Sequence, residues 1–256
     1  MSGHSKWAQI KRTKAKVDAA RGVIFTRMSR EIIVAARLGG PEPAANFRLR
    51  TAIEAARKAG VPNDNIKRAI AKGSGLESGE VLEELVYEGY GPAGVAILIR
   101  AYTDNRNRTA ADLRAAFGRH GGNLGESGCV SFLFQESGQI ILDNSVGDLT
   151  EEAVLEAVLE AGAQDVRANG DTFEIICEPT LLEVTQNKLV AVNFKIESAG
   201  LADIPIVMVT VEEIETAKKL LRLIDRIDEL PDVQKVATNF DISDDVITEL
   251  EMTFTT

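Results

Sequence analysis

The chain has 256 residues, 45% apolar and 27% charged but only 5% aromatic, with a net charge of −10. That length leaves room for more than one core, and no apolar run reaches the roughly 20 residues that a membrane helix needs. The opening Met1-Ser2-Gly3-His4-Ser5-Lys6-Trp7 has no apolar signal core, so a cytoplasmic location without membrane contact is expected.

The negative total hides a division. Residues 1–76 hold 16 Lys and Arg against 5 Asp and Glu, a net +11, whereas the remainder holds 13 against 34, a net −21. Such asymmetry points to a polyanion as the partner of the basic part. Its field steers association with phosphate backbones and weakens with salt.

Residues 1–21 form a polar, basic leader that buries too little surface to order itself firmly. The spacing of Phe25, Met28, Ile32 and Ala35/Ala36 predicts a helix over 23–37, ended by Leu38-Gly39-Gly40-Pro41. Leu49, Ala52, Ile53 and Ala56 predict a second over 44–59, and Pro62 and Asn63 open a third through about Lys72. Together they read as a compact three-helix bundle.

From about 81 the pattern becomes α+β. Residues 85–90 and 95–100 read as paired strands around Gly91-Pro92-Ala93-Gly94. Thr109 or Asp104 is expected to cap a helix over 109–119. Residues 129–134 read as a strand. A βαββαβ run follows: strand 139–143, helix 151–161 capped by Thr150, strands 165–168 and 172–177 around Asn169-Gly170-Asp171, helix 180–192 and strand 195–201. That order predicts a ferredoxin-like unit. Strand 206–211, helix 212–229 and strand 233–240 would then complete the earlier sheet. The expected domains are 1–78, a discontinuous α+β domain of 79–135 plus 206–245, and an inserted ferredoxin-like domain of 136–205. The acidic tail after Asp241 is expected to be loose.

Four stretches, in order, carry a resemblance: Gly3-His4-Ser5-Lys6-Trp7-Ala8-Gln9-Ile10-Lys11, Tyr87-Glu88-Gly89-Tyr90-Gly91-Pro92, Thr103-Asp104-Asn105-Arg106-Asn107-Arg108-Thr109 and Gly121-Gly122-Asn123-Leu124-Gly125. The chain resembles the YebC/PmpR family over almost its whole length. Ile24-Phe25-Thr26 and Ala35-Ala36-Arg37-Leu38-Gly39-Gly40 extend the match. Ala8-Gln9 and Arg12-Thr13-Lys14 depart from the family's commonest wording and keep its basic character. The resemblance implies a helical N-terminal domain followed by two α+β domains. It also implies a bacterial cytosolic protein or a mitochondrial relative, and the leader, unlike a transit peptide, fits the bacterial case. Most members are described as DNA-binding transcriptional regulators, and some act in translation at the ribosome.

Candidate phosphate contacts are Lys6, Lys11, Arg12, Lys14, Lys16 and Arg21 in the leader, and Arg27, Arg30, Arg37, Arg48, Arg50, Arg57, Lys58, Lys67 and Arg68 in the bundle. Trp7, flanked by Lys6 and Lys11, could stack on a base or anchor the leader. Arg106 and Arg108 precede a helix whose N-terminus favours anions. The competing reading makes that segment a cap and turn, with Arg108 paired to acids. Gly121–Gly125 follows a helix instead of leading into one, so a plain connection is favoured over a phosphate cradle. The acids of the second half, such as Glu151, Glu152, Glu156 and Glu160, read as a solvated face. They could also repel nucleic acid or dock a basic protein.

His4 and His120 are the only histidines, and with the separated Cys129 and Cys177 they make no metal pattern. Both cysteines read as buried thiols in a reducing compartment. Nothing marks a nucleophile, so no catalysis, metal, cofactor or small ligand is expected. The expected function is a monomeric, nucleic-acid-binding regulator acting on DNA. The alternatives are a ribosome-associated factor binding rRNA or tRNA, and a non-catalytic interaction adaptor.

Overall fold

Small side chains set the helical part. The structure, a computed structural model, describes residues 20–76, 81–147, 149–159, 162–243, 245–246 and 249–250. Helices α1 (Ala20–Gly39), α2 (Phe47–Lys58) and α3 (Asn63–Gly73) bury Ile32, Ala35, Ala36, Leu49, Ile53, Ala56, Ile66 and Ala69 against one another. Alanines at these contacts let the axes approach, and at Gly73 α3 meets α1 so closely that a Cβ would lie 2.4 Å from the Ile33 carbonyl oxygen. Helix α2 starts at Phe47, three residues later than its periodicity suggests, because Asn46 caps it. The Asn46 side chain accepts from Leu49 N at 3.0 Å and donates to the carbonyls of Ala35 and Gly40 at 2.8 Å each. One buried amide thus satisfies helix-end groups of both α1 and α2.

Strands β1 (Glu83–Tyr90), β2 (Ala96–Thr103), β3 (Asn123–Leu124) and β9 (Val233–Thr238) form an antiparallel sheet in the order β3-β1-β2-β9. Helices α4 (Arg106–Arg119) and α7 (Ile214–Asp228) supply Leu113, Phe117, Leu220, Leu223, Ile224 and Ile227 to a core with Ile97 and Ile99 of β2. Helix α7 buries six apolar side chains, worth on the order of 10 kcal/mol at about 1.5–3 kcal/mol each. On the opposite face of β2, Ala96 and Leu98 pack with Val130 and Phe134. Burial on both faces explains its unbroken apolar run.

Between the two halves of this domain runs β4 (Phe134–Asp143), α5 (Glu151–Leu159), β5 (Ala163–Asn169), β6 (Thr172–Cys177), α6 (Leu182–Ala191) and β7 (Ile196–Pro205). The sheet order is β5-β6-β4-β7. Counted within the run, that is second-third-first-fourth, the ferredoxin-like arrangement. Residues 135–204 make one compact unit, and the segments before and after them together make another. Asn169-Gly170-Asp171 turns β5 into β6, with Gly170 at φ 57° and Asn169 paired to Thr172. Thr150 caps α5, its hydroxyl accepting from Ala153 N at 3.2 Å.

Three expectations change. Residues 129–133 are not strand: a 3-10 turn spans Ser131–Leu133 and the strand begins at Phe134. The Glu88 carboxylate accepts from the backbone N–H groups of Gly128, Val130 and Ser131 at 2.7–2.8 Å, so these donors need no ladder partner. Strand 233–240 breaks at Asn239, whose side chain accepts from Ala96 N at 2.8 Å and donates to the Val207 carbonyl at 3.0 Å. The chain then enters β10 (Phe240–Ile242), parallel to β8 (Val209–Val211). The tail is not loose throughout, since Ile242, Val246 and Leu250 are buried in the α7 core. Val246 and Leu250 stand four residues apart, the spacing of one helical face, behind the acids around them.

Candidate nucleic-acid interface

The basic residues of the helical domain divide into two groups. On one side, α1 and α2 meet the sheet domain through acids. Arg27 pairs with Asp228 at 3.1 Å, and Arg30 pairs with Asp232 at 2.8 Å and also donates to the Pro231 carbonyl. Arg48 pairs with Glu31 at 2.9 Å and donates to the Tyr102 hydroxyl, which in turn donates to Glu31 at 2.8 Å. Burial and the neighbouring Glu31 carboxylate push the Tyr102 phenol up, so it stays a neutral donor. Arg37 donates to the Leu82 carbonyl at 2.8 Å.

On the other side stand Arg57 and Lys58 in the last turn of α2, and Lys67, Arg68 and Lys72 along α3, all exposed. Arg68 donates to Asn65 Oδ1 at 2.6 Å and keeps its charge without an acid among the described residues. Arg50 is intermediate: it donates to the Pro43 carbonyl at 2.9 Å and lies 5.4 Å from the Phe47 ring centroid. Arg21 falls within α1. Lys6, Trp7, Lys11, Arg12, Lys14 and Lys16 lie outside the described residues.

The Thr103–Thr109 segment is organised around Asp232. Asn105, neither Thr109 nor Asp104, caps α4 by accepting from Arg108 N at 3.1 Å. The Arg108 guanidinium reaches Asp232 at 2.8 Å and Asp104 at 2.7 Å. The Thr109 hydroxyl donates to Asp232 at 2.7 Å and that of Thr103 at 3.2 Å. With Arg30, this carboxylate collects groups from α1, β2 and α4, and its own side chain is only 4% exposed. Burial pushes the Asp232 carboxyl up, but the hydrogen bonds from Arg108 and Thr109 and the Arg30 charge outweigh burial and hold it below the ordinary aspartate value. The arginine-rich motif therefore builds a socket for an acid of this same chain. Arg106, 68% exposed and 3.3 Å from Glu83, stays at the surface.

The glycine motifs answer close packing. A Cβ at Gly89 would lie 2.6 Å from the Asn123 carbonyl oxygen, one at Gly122 2.8 Å from that of Tyr90, and one at Gly125 2.5 Å from Cys129 Sγ. The Gly122 and Gly125 amides bond the carbonyls of Phe117 and Glu88 at 2.9 and 2.8 Å, which leaves neither to cradle a phosphate. Burial pushes the Glu88 carboxyl up, but its three amide donors hold it below the usual carboxylate value. Cys177 is buried and Cys129 half-buried, both as free thiols. Among the described residues no cluster of three or more His, Cys, Asp or Glu could hold a metal, and no helix is long and apolar enough to cross a membrane.

The sequence profile described as the TACO1/YebC protein N-terminal domain matches residues 5–76, and that of the TACO1/YebC second and third domain matches 82–240. The chain belongs to the TACO1/YebC family. A relative from Synechococcus sp. strain JA-3-3Ab is 53% identical over 98% of this chain and 100% of its own length. One from Cyanothece sp. strain PCC 7425 is 52% identical over 98% and 99%. Both are named probable transcriptional regulatory proteins. A crystal structure of a conserved hypothetical protein from Aquifex aeolicus aligns with a TM-score of 0.84 at 48% identity, covering 90% of this chain and 94% of that one.

Sequence reasoning overlooked Asp232, Glu31 and Tyr102, which engage the inner arginines. Asp232 lies more than 200 residues from Arg30, and no local pattern marks it. Lys72 sits with Lys67 and Arg68 on the exposed side of α3 and belongs with them.

Proposed function

We propose that this chain is a nucleic-acid-binding regulator of gene expression that contacts DNA through the outer basic face of its helical domain together with the basic leader. The observation that supports this reading is the division of cations. Arg27, Arg30 and Arg48 are neutralised by acids of the same chain, whereas Arg57, Lys67, Arg68 and Lys72 have no acid partner among the described residues. Surface cations grouped without acids suit a phosphate backbone, where each contact releases counterions. The names carried by the relatives agree with a regulatory role.

A second reading is a translation factor on ribosomal or transfer RNA. A pocket of about 360 Å3 on the same domain favours it, because that space suits an unpaired base better than a duplex. Crosslinking in growing cells, followed by sequencing of the attached DNA and RNA, separates the two. Promoter DNA without rRNA or tRNA is expected on the first reading. The reverse result supports the second, and recovery of neither points to an interaction adaptor.

A further inference from the structure

The pocket is lined by α1 and α3 beside their backbone contact at Ile33 and Gly73, with Leu82 completing it. Phe25 and Ser29 stand one turn apart on α1, so their side chains share a face. Phe25 and Leu82 provide apolar walls; Thr26, Ser29 and Asn65 provide hydroxyl and amide groups; Lys72 provides positive charge, the Arg30 charge being taken up by Asp232. Lys72 is exposed and makes no ion pair among the described residues. An aromatic ring, neutral donors and acceptors, and a cation at one concavity are the groups that single-stranded nucleic acid uses: a surface for the base face, partners for its edge, and charge for its phosphate. The volume lies at the small end of the range for ligand pockets, the size of one nucleotide.

We propose that this α1–α3 pocket holds a single unstacked nucleotide of a single-stranded nucleic acid. The proposal rests on the reading that the helical domain binds nucleic acid, and it adds to the outer cations a site that senses whether a base is free. Electrostatic contact along Arg57, Lys58, Lys67 and Arg68 would accept any backbone. The pocket would favour single strands, bulges and looped-out positions.

The test is Ser29→Trp, which fills the pocket and leaves the outer cations in place. Binding is measured with labelled oligo(dT), oligo(U) and a duplex of the same length over a salt series. The expected result is a loss of about tenfold in single-strand affinity, with a salt slope flatter by no more than the one Lys72 contact, about 0.7, and unchanged duplex affinity. Equal affinity of variant and wild type for single strands overturns the proposal and leaves the nucleic-acid reading standing. Parallel losses on duplex and single strand with a flattened slope overturn it too, because the variant has then disturbed the general electrostatic face. Absence of wild-type binding to all three probes removes the underlying reading instead. If Ser29→Trp fails to fold, amide NMR of the wild-type chain titrated with thymidine and uridine monophosphates decides. Shifts centred on residues 25–33 and 65–72 support the site, and shifts absent there overturn it.

Discussion

The inner and outer cations of the helical domain have the same chemistry and different fates. Arg27, Arg30 and Arg48 lie on α1 and α2 and meet Asp228, Asp232 and Glu31, with side chains 16–36% exposed. Arg57, Lys67, Arg68 and Lys72 lie on the ends and outer side of α2 and α3, exposed. A net charge of +11 over residues 1–76 therefore overstates what a polyanion can reach, because part of it is taken up by intramolecular pairs. The lesson is that a cation becomes available for phosphate where the fold withholds an acid, and sequence counting cannot see where the fold withholds one.

The largest expected effect breaks the inner side. Asp232→Ala leaves Arg30 and Arg108 facing each other without their shared carboxylate and removes the acceptor for Thr103 and Thr109. Loss of one partner from a buried ionic network costs about 3–5 kcal/mol, readable as a shift in urea unfolding. A loss under about 1 kcal/mol would mean that the network is no stronger than a surface ion pair. Next comes Glu88→Ala, which strands three backbone amides and should cost about 2–3 kcal/mol. A normal urea midpoint in that variant would show that water satisfies those amides just as well.

Acid sharpens the comparison further. The folded-state pKa values of Asp232 and Glu88 are both lowered, so the stability they contribute is fully present above their unfolded values near about 4. It is lost as pH falls through the folded values. The melting temperature should hold steady on acidification to about pH 5 and decline below about pH 4, with a shallower decline in Asp232→Asn. An acid response identical in wild type and variant would remove Asp232 from the account. The outer side should behave in the opposite way: neutralising Arg57, Lys58, Lys67, Arg68 and Lys72 one at a time should leave stability within about 0.5 kcal/mol.

Much of the architecture was legible in the residues. The stripe Ile32, Leu49, Ile53 and Ile66 marked the bundle, and Asn169-Gly170-Asp171 marked the hairpin of the ferredoxin-like unit. Local periodicity suffices there because each element buries a face set by its own spacing. The departures arose where a distant side chain decided local structure. Glu88 takes the amides that would have made residues 129–133 a strand, and Asn239 redirects a strand into a second sheet. At the candidate interface, sequence alone could not sort Arg30 from Lys67, because the sorting residue, Asp232, is brought in by the fold.

On the proposed function, the outer cations, and not the inner ones, meet the polyanion. The direct test is the salt dependence of nucleic-acid affinity for the wild type and for a variant with Arg57, Lys58, Lys67, Arg68 and Lys72 all changed to Gln, with folding checked by its melt. The expected slope is flatter by about 0.7–0.9 for each side chain that no longer neutralises a phosphate, hence a drop of several units, in a chain that melts normally. A normally folded variant with an unchanged slope would contradict it.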